Sequence, residues 1–196
     1  MKHAWRYARW PIGVLLIAYA ILVVWRIPAV GEKERTAETI QFIQSRELTL
    51  ADARGDNLPP APDPVLADAT IEGIDANNNY IRDDVELAIF EKYPNDLKLR
   101  AALLQYAMAI QMYLSDVFND ETLASVAKME ERASKCLSTQ FPQTDAQQLF
   151  KIRSDTKKYI KNLVVNTPTR QQKANDNTRL ISSFGSLEGE ECDLNR

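Results

Sequence analysis

Between Leu97 and Phe118, apolar side chains cover most of the surface that an α-helix would present. At helical spacing they form two rows, which consist of Leu99, Leu103, Tyr106, Ile110, Tyr113 and Val117 and of Leu97, Leu104, Met108 and Met112. A helix on a protein surface keeps one polar face, whereas a helix that is apolar on most sides must be covered by other elements. This stretch therefore predicts a central helix that its neighbours surround.

The segments around this stretch have the spacing of shorter amphipathic helices. No strand-like alternation of apolar and polar residues interrupts them. The pattern predicts an all-α fold, an antiparallel helical bundle of about 110–120 residues. The predicted helices are Asp84–Tyr93, stopped by Pro94; Leu97–Phe118, capped by Asn95 or Asp96; a third capped by Asp120; a fourth from Thr144 or Asp145 to Asn166; and a more polar fifth near Gln171–Ser182.

The N-terminus, basic and then apolar, predicts a membrane segment. Three basic residues precede the apolar run Trp10–Val24, and no acidic residue occurs before Glu32. As a helix, residues 10–27 would reach roughly 27 Å, close to the hydrocarbon thickness of a bilayer. We therefore expect a cytoplasmic N-terminus over 1–9 and a single-pass anchor over 10–27 in the inner (plasma) membrane. The C-terminal domain would then be periplasmic or extracellular.

All three tryptophans, Trp5, Trp10 and Trp25, lie in this region, as expected of indole rings at the two headgroup layers. The alternative is a signal peptide cleaved at the small-x-small site Ala18-Tyr19-Ala20. Cleavage there would remove only part of the apolar run, so we favour an uncleaved anchor. Either interpretation exports the rest of the chain.

Two segments lead from the anchor to the predicted bundle. Residues 28–48 carry apolar residues at a loose helical spacing, which predicts a juxtamembrane helix. Residues 49–72 contain four of the nine prolines, a composition that favours an extended linker over packed structure. The exported helical domain is then expected over 73–196.

The run from Asp75 to Glu86 has the ligand spacing of a calcium-binding EF-hand loop. Calcium takes about six to eight oxygen ligands, and such a loop supplies them from alternate residues before a helix begins. Five side chains carry oxygen at loop positions 1, 3, 5, 9 and 12, and the residue at position 7 would contribute its backbone carbonyl. The candidate calcium ligands are Asp75, Asn77, Asn79, Ile81, Asp83 and Glu86.

The loop departs from this pattern at two positions. Position 6 normally holds a Gly with positive φ, and here it is Tyr80. Either Tyr80 adopts that conformation at a cost of about 1–2 kcal/mol, or the turn shifts toward Asn79. Position 8 is Arg82, where paired EF-hands have an apolar residue, and no second loop of this kind occurs in the chain.

The same residues also fit a helix start without metal. An Asn-rich turn followed by Asp83, with Glu86 three residues later, is typical of a capped helix N-terminus. Capping uses only two of the residues and leaves the alternation of Asp75, Asn77 and Asn79 unexplained. The two interpretations are compatible.

The segment from Gly73 to Glu86 resembles the single EF-hand-type loops, ending in an Arg-Asp-Asp-Val-Glu run, of exported, membrane-anchored and mostly uncharacterised bacterial proteins. The resemblance covers this segment only. It implies calcium as the bound ion and an extracytoplasmic setting. It extends to the five side chains at positions 1, 3, 5, 9 and 12, namely Asp75, Asn77, Asn79, Asp83 and Glu86.

The two cysteines, Cys136 and Cys192, both lie in the part expected to be exported. An even number of cysteines in an oxidising compartment predicts a disulfide. The bond would join the acidic tail, residues 188–193, to the body of the domain. The alternative is a buried thiol at Cys136 and an exposed one at Cys192.

The composition argues against an enzyme. The only histidine is His3, on the predicted cytoplasmic side, so the exported domain has no His to act as a base or zinc ligand. No Gly-rich phosphate loop or GxSxG elbow occurs. The adjacent carboxylates Glu130 and Glu131 point apart on a helix, so a carboxylate-only active site is not expected there.

The charge argues against nucleic acid as a partner. Without the four basic residues of the N-terminal region, the chain has 20 basic residues of the original 24 against 27 acidic ones, a net charge of −7. Nucleic-acid binding requires a basic stripe. We expect a non-enzymatic membrane protein that binds one structural calcium ion. The alternative is a metal-free module that binds another envelope protein, with the loop as a helix cap.

Overall fold

A computed structural model describes residues 4–141, 145–180 and 192–195. Within these ranges the chain is all-α and contains no strand, which confirms the predicted fold class. The chain divides into two compact units, Met1–Thr39 and Ile40–Arg196. The helices are α1 Ala4–Gln44, α2 Leu50–Arg54, α3 Pro64–Ala67, α4 Asp83–Lys92, α5 Leu97–Ser115, α6 Asp120–Thr139, α7 Ala146–Val164 and α8 Pro168–Thr178, followed by a short 3-10 turn over Asp193–Asn195.

Helix α1 runs without a break through the predicted anchor and most of the predicted juxtamembrane helix. Between Val14 and Leu22 its large apolar side chains are exposed. In the part of the chain that the structure describes, no helix combines the length and apolar character needed to cross a bilayer. The side chains of the three tryptophans lie outside the described residues. The anchor and the alternative cleavage site stay predictions.

Helix α5 is the centre of the second unit, as its sequence predicts. Most of its side chains are buried, and it packs against α2, α4, α6, α7 and α8. Its first turn is capped by Asp96, whose side chain accepts a hydrogen bond from Leu99 N at 3.0 Å. The surrounding helices cover most of α5, and this explains why it can be apolar on most sides.

Helix boundaries agree with the predictions to within a few residues. Helix α6 begins at Asp120, but its cap is Asn119, which forms a reciprocal capping box with Thr122. An Asn one residue earlier takes the role because its side chain reaches Thr122 N at 2.9 Å. Helix α8 begins at Pro168, before the predicted start, because Thr167 caps it and proline suits the first helical position.

Two parts of the segment over 49–72 contact the bundle, namely α2 and residues 67–71, whereas most residues between them are exposed. Helix α2 has a Thr49–Asp52 capping box, and its Ala53 is fully buried. Arg100 of α5 explains this packing, because its Nε donates to Ala53 O at 3.0 Å while its Nη1 donates to Tyr93 O and Pro94 O. A buried guanidinium needs such acceptors, and the chain before the loop supplies one of them.

A disulfide joins Cys136 and Cys192, as predicted. It indicates an oxidising, extracytoplasmic compartment. Next to it, the buried Asp193 accepts a hydrogen bond from Leu48 N at 2.8 Å and pairs with Arg132 at 3.1 Å. The disulfide therefore holds the buried carboxylate of Asp193 close to Leu48, in the chain that follows α1. Residues 188–191 of the acidic tail lie outside the described residues.

Replacement of both cysteines by serine should lower the free energy of unfolding by about 4 kcal/mol, because the bond closes a loop across a separation of 56 residues. Chemical denaturation of the full chain in detergent measures the difference. Reduction of the unmodified protein with a phosphine serves as the control and should give the same loss. An unchanged unfolding midpoint in both samples would contradict the prediction.

Candidate metal centre

The residues before α4 form a closed loop. Asp83 N, at the start of the helix, donates to Ile74 O at 2.9 Å, so the two ends of the segment 74–83 meet. Inside it, both carboxylate oxygens of Asp75 accept backbone hydrogen bonds, from Asn79 N at 3.1 Å and Tyr80 N at 2.8 Å. The first predicted ligand therefore already holds the turn in which the later ones lie.

At position 6 the turn has the left-handed backbone conformation that an EF-hand loop requires, although the residue there is tyrosine. Tyr80 has φ +65°, so it adopts the left-handed region that position 6 requires, and the turn does not shift to Asn79. Asn78 is also left-handed, with φ +59°, which asparagine tolerates better than most residues. For Tyr80 the conformation costs about 1–2 kcal/mol.

The ring of Tyr80 makes two contacts that offset this strain. It packs edge-to-face against Phe42, with ring centroids 5.1 Å apart, and the guanidinium of Arg46 lies 4.4 Å from its centroid. The same guanidinium lies 4.5 Å from the Phe42 ring. Such an aromatic pair contributes about 0.5–1.5 kcal/mol and a cation–π contact about 0.5–1 kcal/mol. The three side chains thus stabilise a conformation that glycine would adopt without strain.

Two of the predicted ligands, Asn77 and Asn79, contact a third, Glu86. Its side chain is buried in α4, and it accepts hydrogen bonds from Asn77 Nδ2 and from Asn79 Nδ2, both at 3.0 Å and each on a different carboxylate oxygen. Burial raises the pKa of Glu86 to about 7, and the two amide hydrogen bonds only partly oppose this. Loop positions 3, 5 and 12 are therefore brought together.

Asp83 lies beside them and is only 1% exposed. Its Oδ1 accepts from Ala76 N at 2.9 Å, but its Oδ2 is buried without a hydrogen-bond partner, and so is Asn77 Oδ1. Burial raises the pKa of Asp83, the Ala76 N–H opposes the rise, and the charges of Asp75 and Asp84 add to it. A buried acceptor without a donor costs roughly 1–3 kcal/mol, so two of them in one loop need an explanation.

In residues 4–141, 145–180 and 192–195, no positive side chain pairs with the two buried carboxylates of this site, Asp83 and Glu86. In the same part of the chain, no three His, Cys, Asp or Glu side chains are grouped closely enough to hold a metal ion. The loop oxygens instead receive backbone and amide N–H groups. Ile81 is buried, and its N–H donates to Asn79 Oδ1 at 2.9 Å.

The nearest arginine points away from the two carboxylates. Arg82 is buried and forms a bidentate pair with Asp84, at 2.7 and 2.6 Å. It also donates to Leu163 O and Val164 O, both at 3.1 Å, at the end of α7. At this loop position a paired EF-hand has an apolar contact to a second loop, whereas here a guanidinium binds the end of a helix.

The capping pair suggested by the sequence does not form. The residue before α4 is Arg82, which makes no side-chain cap, and Asp83 is already the first helical residue. The Asp83 side chain accepts from Ala76 N, and Glu86 accepts from the loop amides. These two carboxylates therefore face the loop instead of capping the helix.

Two features of the site could not be predicted from a pattern in the sequence. Arg170 is buried on α8 and donates to Ala67 O, Thr70 O and Ile71 O, which fixes the chain that enters the loop. Gly73 has φ +70°, and a Cβ there would lie 2.4 Å from Arg82 Cδ. In the sequence, the only hint of such a network is Arg82, a basic residue at loop position 8 where paired EF-hands have an apolar one.

No family model, curated protein or solved structure matches the chain.

We expect metal-free protein to lose stability as the pH rises from about 4.5 to about 7, because the folded Glu86 carboxyl has a pKa raised from 4.5 to about 7 and keeps its proton over this range while the unfolded chain loses it. Below about pH 4.5 the carboxyl is protonated in both states and contributes nothing to the pH dependence. Thermal unfolding in chelator from pH 4 to 8 measures the effect. Glu86→Gln should flatten the curve between about pH 4.5 and 7, whereas the exposed Glu91→Gln, the matched control on α4, should not.

A second prediction concerns Arg82. Arg82→Lys should lower the free energy of unfolding by about 2–3 kcal/mol, because an ammonium cannot bind Asp84 bidentately and also reach both carbonyls of α7. Denaturant unfolding compares it with Arg54→Lys, at an exposed position of α2. Equal stability of the two variants would show that the network contributes little.

Proposed function

We propose that this protein is a membrane-anchored, extracytoplasmic helical protein that binds one structural calcium ion through the loop 75–86. The observation that supports it most directly is the pair of buried acceptors without donors, Asp83 Oδ2 and Asn77 Oδ1. They lie at loop positions 9 and 3, where an EF-hand loop turns oxygens toward its ion. A cation that binds oxygen would satisfy both.

The charge of the loop favours the same ion. Asp83 and Glu86 are both buried, and their ionised forms need a positive charge nearby. The donors available are carboxylate, amide and backbone oxygens, which suit a hard cation such as calcium better than zinc. Both cysteines are in the disulfide, so no thiolate competes as a ligand.

The candidate ligands fit calcium after a small change. Asn77 and Asn79 now present their Nδ2 groups to Glu86. Rotation of the Asn79 side-chain amide exchanges its nitrogen with its oxygen and gives up the hydrogen bond from Ile81 N, so this donor becomes a ligand. Asn77 would bind the ion through Oδ1, which already lacks a donor. The ion would be held by the residues at positions 1, 3, 5, 7, 9 and 12, which are Asp75, Asn77, Asn79, Ile81 (through its carbonyl), Asp83 and Glu86.

A structural role is favoured over a sensor role. Sensors of the EF-hand type act as paired loops, whereas Arg82 here ties position 8 to the end of α7. Three charged ligands and two neutral ones imply weak affinity, which suits a compartment rich in calcium. The bound ion would fix α4 against the bundle.

The location rests on two observations. The Cys136–Cys192 disulfide supports export of the second unit. Exposed apolar side chains between Val14 and Leu22, after a basic N-terminus, support a single-pass anchor over 10–27. The alternative function, a metal-free module that binds another envelope protein, has the loop only as a helix cap, and the expected cap at Asp83 is absent.

The test is thermal unfolding of the full chain in detergent with millimolar calcium and with chelator. Calcium should raise the midpoint of the unmodified protein and of the control Glu91→Gln by several degrees, because a ligand that binds only the folded state stabilises it. Glu86→Gln and Asp83→Asn should lose this response. In chelator they should be no less stable than the unmodified protein, since each removes a buried unpaired charge.

An unmodified protein that binds no calcium and shows no shift would refute the calcium proposal. The metal-free module would then be the better explanation. Stabilisation by calcium that persists in both variants would place the ion elsewhere in the protein.

A further inference from the structure

The side chain at loop position 6 connects the candidate calcium loop to the chain that leaves α1. Glycine, the usual residue there, has no side chain with which to make such a contact. Tyr80 instead contacts Phe42 and Arg46, which precede it by more than thirty residues in the sequence. We name residues 42–48 the exit segment, because they carry the chain out of α1 toward α2.

The two ends of this connection are held firmly. On the loop side, Tyr80 N donates to Asp75 Oδ2 at 2.8 Å, so the residue that presents the ring is bonded to the first candidate ligand. On the other side, Ile43 and Leu48 of the exit segment are buried, and Leu48 N donates to Asp193. Between these points, Phe42 and Arg46 hold the ring.

We propose that Tyr80 couples cation binding in the loop to the order of the exit segment, so that calcium bound at 75–86 stabilises residues 42–48. This inference rests on the proposed calcium site and adds its connection to the rest of the molecule. Asp75, when it binds an ion, fixes the backbone of Tyr80, and the fixed ring holds Phe42 and Arg46 in place. Tyr80 is a positioning residue in this scheme and does not touch the ion with its side chain.

Coupling of this kind acts in both directions. If calcium stabilises the exit segment by a given factor, an ordered exit segment raises the affinity for calcium by the same factor. Removal of the Phe42 ring, which lies outside the loop, should therefore weaken calcium binding. From the usual strength of an aromatic pair we expect a loss of about 2- to 10-fold in affinity.

The experiment uses the full chain in detergent and measures two quantities on each sample. Calorimetric titration gives the calcium affinity, and hydrogen exchange with mass spectrometry gives the protection of peptides over 42–48 with calcium and with chelator. In the unmodified protein, calcium should slow exchange in the exit segment several-fold. In Tyr80→Gly, calcium should still bind, because glycine suits the backbone at position 6, but the exit segment should no longer respond.

Two further variants separate coupling from general damage. Asn78→Gly changes the other left-handed position of the loop without removing a ring, so it should keep both calcium binding and the response of the exit segment. Phe42→Ala leaves the loop sequence intact and should lose the response together with part of the affinity. Unchanged exchange in α5 identifies the samples in which the fold is intact.

The outcomes distinguish the two proposals. If the unmodified protein binds no calcium, the calcium site and the coupling both fail. If calcium binds and the exit segment of the unmodified protein does not respond, the coupling is wrong and the calcium site stands. The same conclusion follows if the exit segment responds in Tyr80→Gly and Phe42→Ala as strongly as in the unmodified protein. A response that is present in the unmodified protein and Asn78→Gly and lost in the other two supports the coupling.

Discussion

The buried guanidinium of Arg82 is the interaction on which the geometry of the second unit depends most. One side chain joins three parts of the fold, since it pairs with Asp84 at the start of α4, binds the last carbonyls of α7, and lies beneath Gly73 at the entrance of the loop. Carbonyls at a helix C-terminus carry partial negative charge and lack helical partners, so a cation there is favourable. The position of α4, and with it the loop, follows from this contact.

The same contact explains the electrostatics of the loop. Arg82 is the positive residue closest in sequence to Asp83, and its donors are used by Asp84 and by α7. Asp83 and Glu86 are therefore buried, and no cationic side chain of the described residues pairs with them. Their carboxyls have raised pKa values. A stable turn does not by itself require two buried acids that lack a cationic partner. The proposed calcium ion would neutralise their charge.

The sequence predicted what depends on local pattern. The surrounded helix α5, the order of its neighbouring helices and the disulfide followed from periodicity, caps and cysteine count. What it missed depends on long-range contacts between side chains and backbone. The packing of α2 involves Arg100, and the left-handed Tyr80 is in contact with Phe42 and Arg46. No local window contains both partners of such a contact, so propensity alone favoured an extended linker and left the turn undecided.

The hydrogen bond from Leu48 N to Asp193 joins residues that are 145 positions apart. One lies where the chain enters the bundle and the other lies in its last described turn, next to the disulfide at Cys192. Helical bundles usually begin to open by fraying at a terminus, where few contacts hold the backbone. Here the hydrogen bond joins these two segments, and the disulfide links the later one covalently to α6. Fraying of the bundle at Leu48 or at Asp193 must therefore break this hydrogen bond, and the disulfide keeps Asp193 close to α6 while it does so.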